Sequence, residues 1–215
     1  MFLQLLEYLP AFAGGATVTV AISAAAIALG FCGGIVLHIL RESGSPTAYR
    51  LTQLFVSFFR GTPMLVQLLM TFYIPPTLGL ELNPYVAAVL ALGLNSSAYQ
   101  SEILRAGFNA VSKGQVEAAQ IMGLSKFQTL TKIQVPQVLR RTLPSLLSET
   151  ADIVKGSAIV SVIAVTDTLR VANQLVSITY RPLEMFVIAA LFYLASISII
   201  QWGGHFAESA WKRKS

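Results

Sequence analysis

The side chains able to do chemistry in this sequence are polar groups stranded in apolar surroundings. Arg60 stands at the triplet Gly61-Thr62-Pro63, with Gln67 a helical turn beyond. Asn95, Ser96, Ser97, Tyr99, Gln100 and Glu102 crowd into one otherwise apolar stretch. Glu149, Asp152 and Lys155 recur at i, i+3 and i+6, which puts them on one flank of a helix. A charged side chain at the centre of a bilayer costs about 2.5–3.5 kcal/mol on insertion scales, so such residues turn to a cavity, a partner or a solute. The chemistry open to such groups is contact with a solute or with another helix. No nucleophile–base set, no pair of catalytic carboxylates and no metal-ligand cluster is legible.

Each group also has a plainer reading. Arg60 can line a solute path, because Gly61 weakens a helix and Pro63 frees a carbonyl, and broken helices at mid-membrane often form substrate sites. It can equally sit at a membrane boundary and snorkel. Asp152 and Lys155 can neutralise each other, which leaves Glu149 as the carboxylate without a partner. Asn95 and Ser97 more often tie membrane helices together than bind solute. The candidate path residues are Arg60, Thr62, Gln67, Asn95, Ser97, Glu149 and Asp152.

Those residues need a frame, and the charge distribution supplies it. Of 215 residues, 54% are hydrophobic and 12% charged, against about 25% charged in a soluble domain. No Asp, Glu, Lys or Arg occurs between Glu7 and Arg41, between Arg60 and Glu81, between Glu81 and Glu102, or between Glu184 and Glu208. Each gap holds a helix long enough for a hydrocarbon core of about 30 Å. Five membrane helices are expected, at about 14–38, 53–74, 83–104, 142–166 and 185–206, in a single all-α membrane domain spanning 1–215. The fourth is the least apolar, since it carries the acidic and basic trio. The first lacks a preceding Lys or Arg and is too long for a signal peptide, so it is expected to be a permanent span.

With the N-terminus outside, the inside segments 41–50, 105–141 and 207–215 hold eleven Lys and Arg, including Lys212, Arg213 and Lys214, and the outside segments only Arg170 and Arg181. That asymmetry places the N-terminus outside and the C-terminus in the cytoplasm. It also gives the net charge of +5 a topological meaning instead of a nucleic-acid one. The segment 105–141 reads as a cytoplasmic helix–turn–helix. Ser112 with Gln115 forms a capping box opening a helix from Lys113 to Met122. Gly123 ends that helix in a left-handed turn, and Ser125 with Gln128 opens a second helix, which Pro136 ends or kinks.

Within that loop, Glu117-Ala118-Ala119 is followed by Gly123, Ile133 and Pro136. This resembles the E-A-A-x3-G-x9-I-x-L-P signature of permease subunits of binding-protein-dependent ABC importers, with Val135 where the pattern has Leu. The run Phe59-Arg60-Gly61-Thr62-Pro63-Met64-Leu65-Val66-Gln67 looks like the F-R-G-T-P-L-L-V-Q stretch of polar amino-acid permeases of the histidine, glutamine and arginine type. So does Leu94-Asn95-Ser96-Ser97-Ala98-Tyr99 with Glu102, Arg105 and Lys113-Gly114-Gln115. Near Lys155 the chain departs, reading Lys155-Gly156-Ser157-Ala158-Ile159 where the family often has K-D-T-S-L.

The resemblance implies a multi-pass permease of the cell inner membrane that works beside a second permease subunit, the same chain or a paralogue. Two ATP-binding subunits, which carry ATP and Mg, would dock through the 112–127 helix. Glu117, Ala118, Ala119, Gly123, Ile133 and Pro136 would form the coupling motif. An extracytoplasmic binding protein would deliver the amino acid, and an acidic residue at Glu149 suits a basic one. The chain itself has no G-x-x-x-x-G-K-S/T loop, so nucleotide chemistry belongs to a partner. A self-contained secondary transporter is the competing class. The small size, the lack of an internal repeat and the 112–127 helix stand against it. A membrane enzyme or scaffold finds no support.

Overall fold

A computed structural model describes residues 6–212; the side chains of residue 205 and of residues 207–212 are not among those described, so the Lys212 side chain and all of Arg213 and Lys214 lie outside the described residues. The described chain is helical throughout: α1 (Leu9–Glu42), α2 (Pro46–Gly61), α3 (Met64–Thr77), α4 (Pro84–Asn109), α5 (Lys113–Ile121), α6 (Lys126–Thr129), α7 (Val135–Gly156), α8 (Thr168–Thr179) and α9 (Pro182–Lys212). A π-helical turn, Leu130–Gln134, joins α6 to α7, and a 3-10 turn, Ser157–Ile163, extends α7.

By length and composition, α1 and the Pro182–Gly204 part of α9 can each cross a membrane. Up to four spans result if two bent pairs each count as one. In the first pair α2 and α3 meet at 111°; in the second, Lys126–Ile163 meets α8 at 50°. Helix α4 is outside that set, although its 26 residues give a length of about 39 Å. Its polar residues Asn95, Ser96, Ser97, Gln100 and Ser101 are all buried. They cost apolarity in the sequence yet face protein.

The body is built on α1 against α4, the most extensive pairing. Small residues allow it: a Cβ on Gly30 would lie 2.7 Å from both Cβ and Oγ of Ser96, so only glycine permits this approach. One apolar core joins Ile22, Ala26, Leu68, Leu92, Ile153 and Val160 across α1, α3, α4, α7 and the 3-10 turn. A second, around Phe12, Val171, Ala172, Met185 and Ala189, seats α8 between α1 and α9.

Several expectations change. The stretch 53–74 breaks where Gly61 and Pro63 suggest: Pro63 has no N–H, and α2 and α3 meet there at 111°. The stretch 142–166 belongs to a helix that begins earlier and ends in the 3-10 turn, with Ala164 in the left-handed region at φ 62°. Helix α8, which hydropathy did not reveal, follows Asp167, whose carboxylate accepts from the Arg170 N–H at 2.9 Å as an N-cap. Pro136 sits in the first turn of α7, and the widened π turn before it absorbs the proline, so helical structure runs on. Ser112 makes no side-chain cap. The expected box fails because Gln115 is engaged elsewhere, accepting from the Gln137 amide at 2.9 Å. At Ser125 and Gln128 the box is present in both directions.

Candidate functional site

Three consecutive residues of α4 organise the centre of the molecule, because successive side chains on a helix point about 100° apart. Asn95 faces the α2–α3 break, Ser96 lies between α1 and α7, and Ser97 faces α1. At the break, Pro63 leaves the Phe59 carbonyl without its helical donor. Two amides replace it: Gln67 Nε2 donates to Phe59 O at 2.9 Å and Asn95 Nδ2 donates at 3.1 Å. Asn95 Nδ2 also donates to Gln67 Oε1 at 2.9 Å, and Gln67 Nε2 to Thr62 Oγ1 at 2.9 Å. The Thr62 hydroxyl in turn donates to Phe58 O at 2.8 Å. Leaving such buried groups unpaired costs about 1–3 kcal/mol each. The structure thus brings Thr62, Gln67 and Asn95 together as a brace that holds the broken helix, with Gln67 and Asn95 almost fully buried.

Ser96 donates to Glu149 Oε1 at 3.0 Å and accepts from Gln100 Nε2 at 2.9 Å. Glu149 is 8% exposed. Among the described residues no Lys or Arg lies within ion-pair distance of it. Its neighbours on α7 differ: Lys155 Nζ reaches Asp152 Oδ1 at 2.8 Å, and both side chains are exposed. The three ionisable groups therefore part company, the pair outward and the single carboxylate inward. Ser97 Oγ donates to the Gly93 carbonyl at 2.7 Å and lies against Gly33 of α1. The α7 end carrying this trio meets the break, since a Cβ on Gly156 would stand 3.0 Å from Met64 Sδ.

Arg60 is elsewhere. It lies over the Tyr99 ring at 5.2 Å and 3.7 Å from Glu102 Oε2. Glu102 also accepts from Arg41 NH1 at 2.5 Å and Arg105 NH2 at 2.6 Å. Cavities of 510 and 240 Å³ border this cluster and share Arg60, Glu102 and Arg105. Glu149 lines neither of them, nor the 410 Å³ cavity between α1, α7 and α9. The sequence offered Arg60 and Glu149 as parts of one path; in the single chain they occupy separate places. Arg41 and Glu102 as a cluster could have been suspected only from their charges at neighbouring helix ends.

Of the signature residues, Glu117, Ala118 and Ala119 lie on α5, Gly123 in the turn after it, Ile133 in the π turn and Pro136 in the first turn of α7. Gly123 has φ +80°, open to L residues only with strain. The turn closes as a Schellman motif, with Leu124 N–H on Ala119 O at 3.1 Å and Gly123 N–H on Gln120 O at 2.9 Å. Glu117 and Ala118 are exposed, while Ala119 is buried within this chain and Ile133 and Pro136 are partly covered. Around the glycine, Ile121, Met122 and Phe127 stand 86%, 73% and 73% exposed, an apolar patch on a short polar loop.

Comparison with known proteins gives these features a setting. The family described as "Binding-protein-dependent transport system inner membrane component" matches residues 30–212. The arginine transport system permease protein ArtQ of Bacillus subtilis (strain 168) is 35% identical over 208 residues, covering 96% of this chain and 95% of that protein. The nopaline transport system permease protein NocM of Agrobacterium fabrum is 32% identical over 200 residues, covering 88% and 83%. Among solved structures, a crystal structure of an amino acid ABC transporter with histidines superposes with a TM-score of 0.90 at 33% identity, covering 98% of each chain.

Proposed function

We propose a cargo and a working arrangement from one premise: the chain belongs to the family of binding-protein-dependent transport system inner membrane components. It is a non-catalytic permease subunit of the inner membrane, and ATP hydrolysis belongs to a separate subunit. The cargo is a polar, basic L-amino acid moved into the cytoplasm. The observation that carries this reading is Glu149, a buried carboxylate whose described donor is the neutral Ser96 hydroxyl. A buried anion without a cation is costly, and a cationic solute supplies the missing charge each time it passes. The named cargo of ArtQ, arginine, agrees with this class, while other relatives are named for glutamine and L-cystine.

The chain crosses the membrane five times in this reading, with α4 as the third span, the N-terminus outside and the C-terminus in the cytoplasm. A second permease, either another copy or a paralogue, completes the path; Glu149 lines none of the cavities of 510, 410 and 240 Å³. Asp152, Lys155 and the broken helix at Thr62 then face the partner instead of lipid. The patch of Ile121, Met122 and Phe127 around Gly123 docks on an ATP-binding subunit that carries ATP and Mg. The exposure of these side chains beside a rigid left-handed turn supports that docking. An extracytoplasmic binding protein delivers the amino acid.

The test is ATPase activity of the complex reconstituted with its binding protein and challenged with arginine, histidine, lysine and glutamine. Stimulation by a basic amino acid above glutamine is expected. Stimulation by glutamine alone would remove the basic-cargo reading, and loss of any ATPase under gentle extraction would remove the importer arrangement.

A further inference from the structure

Three guanidiniums contact the single carboxylate of Glu102, and Glu42 acts on Arg105 at longer range. Arg41, Arg60 and Arg105 come from the C-terminal ends of α1 and α2 and the next-to-last turn of α4, and all three converge on Glu102. A carboxylate has about four lone-pair sites, whereas each guanidinium carries five N–H donors. Glu102 Oε1 accepts from Arg41 NH1 at 2.5 Å and Arg105 Nε at 3.1 Å, and Oε2 accepts from Arg105 NH2 at 2.6 Å and Nε at 3.1 Å. Its sites are thus taken. Arg60 remains 3.7 Å away with its side chain 45% exposed.

Two aromatic rings fix these cations without consuming their donors. Arg41 lies over Tyr49 at 5.3 Å and Arg60 over Tyr99 at 5.2 Å. Cation–π contact orients a guanidinium plane while its edge N–H groups stay free. On the far wall of the 510 Å³ cavity, Arg141 anchors one nitrogen on the Ala110 carbonyl. That cavity is lined by three arginines and one carboxylate, a formal surplus of two positive charges. Its volume falls in the range of about 300–1,000 Å³ usual for small-molecule sites. Ile103, Ala106 and Gly107 give it an apolar side.

We propose that this cavity, walled by Arg60, Arg105 and Arg141, binds a phosphate-bearing anion, either the headgroup of an anionic lipid or a free phosphate. The planar forks of arginine match phosphate oxygens in pairs. Basic pockets between helices at the cytoplasmic face are where anionic headgroups bind. An anion entering between Arg60, Arg105 and Arg141 would offset the surplus positive charge of the cavity lining.

The test is native mass spectrometry of the permease complex as extracted from its membrane. Short-chain phosphatidylglycerol, short-chain phosphatidylcholine and inorganic phosphate are titrated onto wild type, Arg60→Gln, Arg141→Gln and Glu102→Gln. Phosphatidylglycerol or phosphate should bind at least tenfold more tightly than zwitterionic phosphatidylcholine. Arg60→Gln and Arg141→Gln should each weaken binding about fivefold, and Glu102→Gln, which adds to the surplus, should strengthen it. Binding of phosphatidylglycerol without inorganic phosphate assigns the lipid; equal binding of both assigns a free phosphate. If neither probe binds, or if the two lipids bind alike and Arg60→Gln and Arg141→Gln change nothing, the site does not exist. Arg141→Gln leaves every Glu102 ion pair intact, so its result stands even where Glu102→Gln perturbs the fold.

Discussion

Asp167 and Glu149 are both buried carboxylates, and the surrounding structure completes one but not the other. Asp167, at the start of α8, receives the Arg170 N–H on Oδ1 at 2.9 Å and the Tyr193 hydroxyl on Oδ2 at 2.9 Å. Next to it the Thr19 and Thr168 hydroxyls bond to each other at 2.9 Å. Each oxygen has a donor from a different element, and the result ties α1, α8 and α9 together. Glu149 receives Ser96 on one oxygen at 3.0 Å. The contrast separates two uses of buried charge. A carboxylate whose lone pairs are filled by fixed donors holds helices in place. One left short of donors keeps capacity for something that arrives.

Replacing each carboxylate's key feature sharpens that contrast. Glu149→Gln keeps the shape and removes the charge. The expected result is a loss of about 10- to 100-fold in amino-acid-stimulated ATPase and uptake, the span set by the roughly 1.5–3 kcal/mol of a hydrogen bond to a charged group. The melting temperature of the extracted complex should hold or rise, because a buried charge has gone. Unchanged uptake with a lowered melting temperature would place Glu149 beside Asp167 as a purely structural group.

Tyr193→Phe is the converse. It strips one donor from Asp167 and leaves Oδ2 buried without its partner. The expected cost is about 1–3 kcal/mol of stability, read as a lower melting temperature, while the ranking of arginine, histidine, lysine and glutamine as stimulants stays the same. A changed ranking would show that the α8 junction takes part in cargo choice.

This division between fixed and open groups was only partly legible in the sequence. Local signals came through. Gly123 announced its left-handed turn, Ser125 with Gln128 its capping box, and Gly61-Thr62-Pro63 the helix break, because each effect is fixed by residues a few positions apart. The Ser112 box failed, since Gln115 could meet Gln137 only after the chain had folded back. Helix α8 carried its N-cap at Asp167, a signal available in the sequence but overshadowed by reading this segment through hydropathy. What braces the break was not legible at all: Asn95 reaches Phe59 across 36 positions, and no spacing rule encodes that meeting. For the same reason the sequence places Gln67 and Asn95 among the candidate path residues, whereas in the folded chain their amides bond to each other and to the Phe59 carbonyl.

The smallest effect concerns the remaining ionisable pair on α7. Asp152 and Lys155 are bonded at 2.8 Å, with side chains 66% and 59% exposed in the single chain. For a pair that keeps this exposure, a double-mutant cycle with Asp152→Asn and Lys155→Gln should give a coupling of about 0–1 kcal/mol. The surrounding helix decides how far that figure holds. Buried Ile153 and Val154 turn one side of α7 to the core, and lipid is a costly neighbour for the opposite, charged side. Water in a shared path would keep the coupling near the surface value. Close packing against a second permease would dehydrate the pair and raise it well above 1 kcal/mol. Measured in the assembled complex, the coupling therefore reports what covers the exposed flank of α7: a low value leaves that flank beside water, and a high value closes it as an interface.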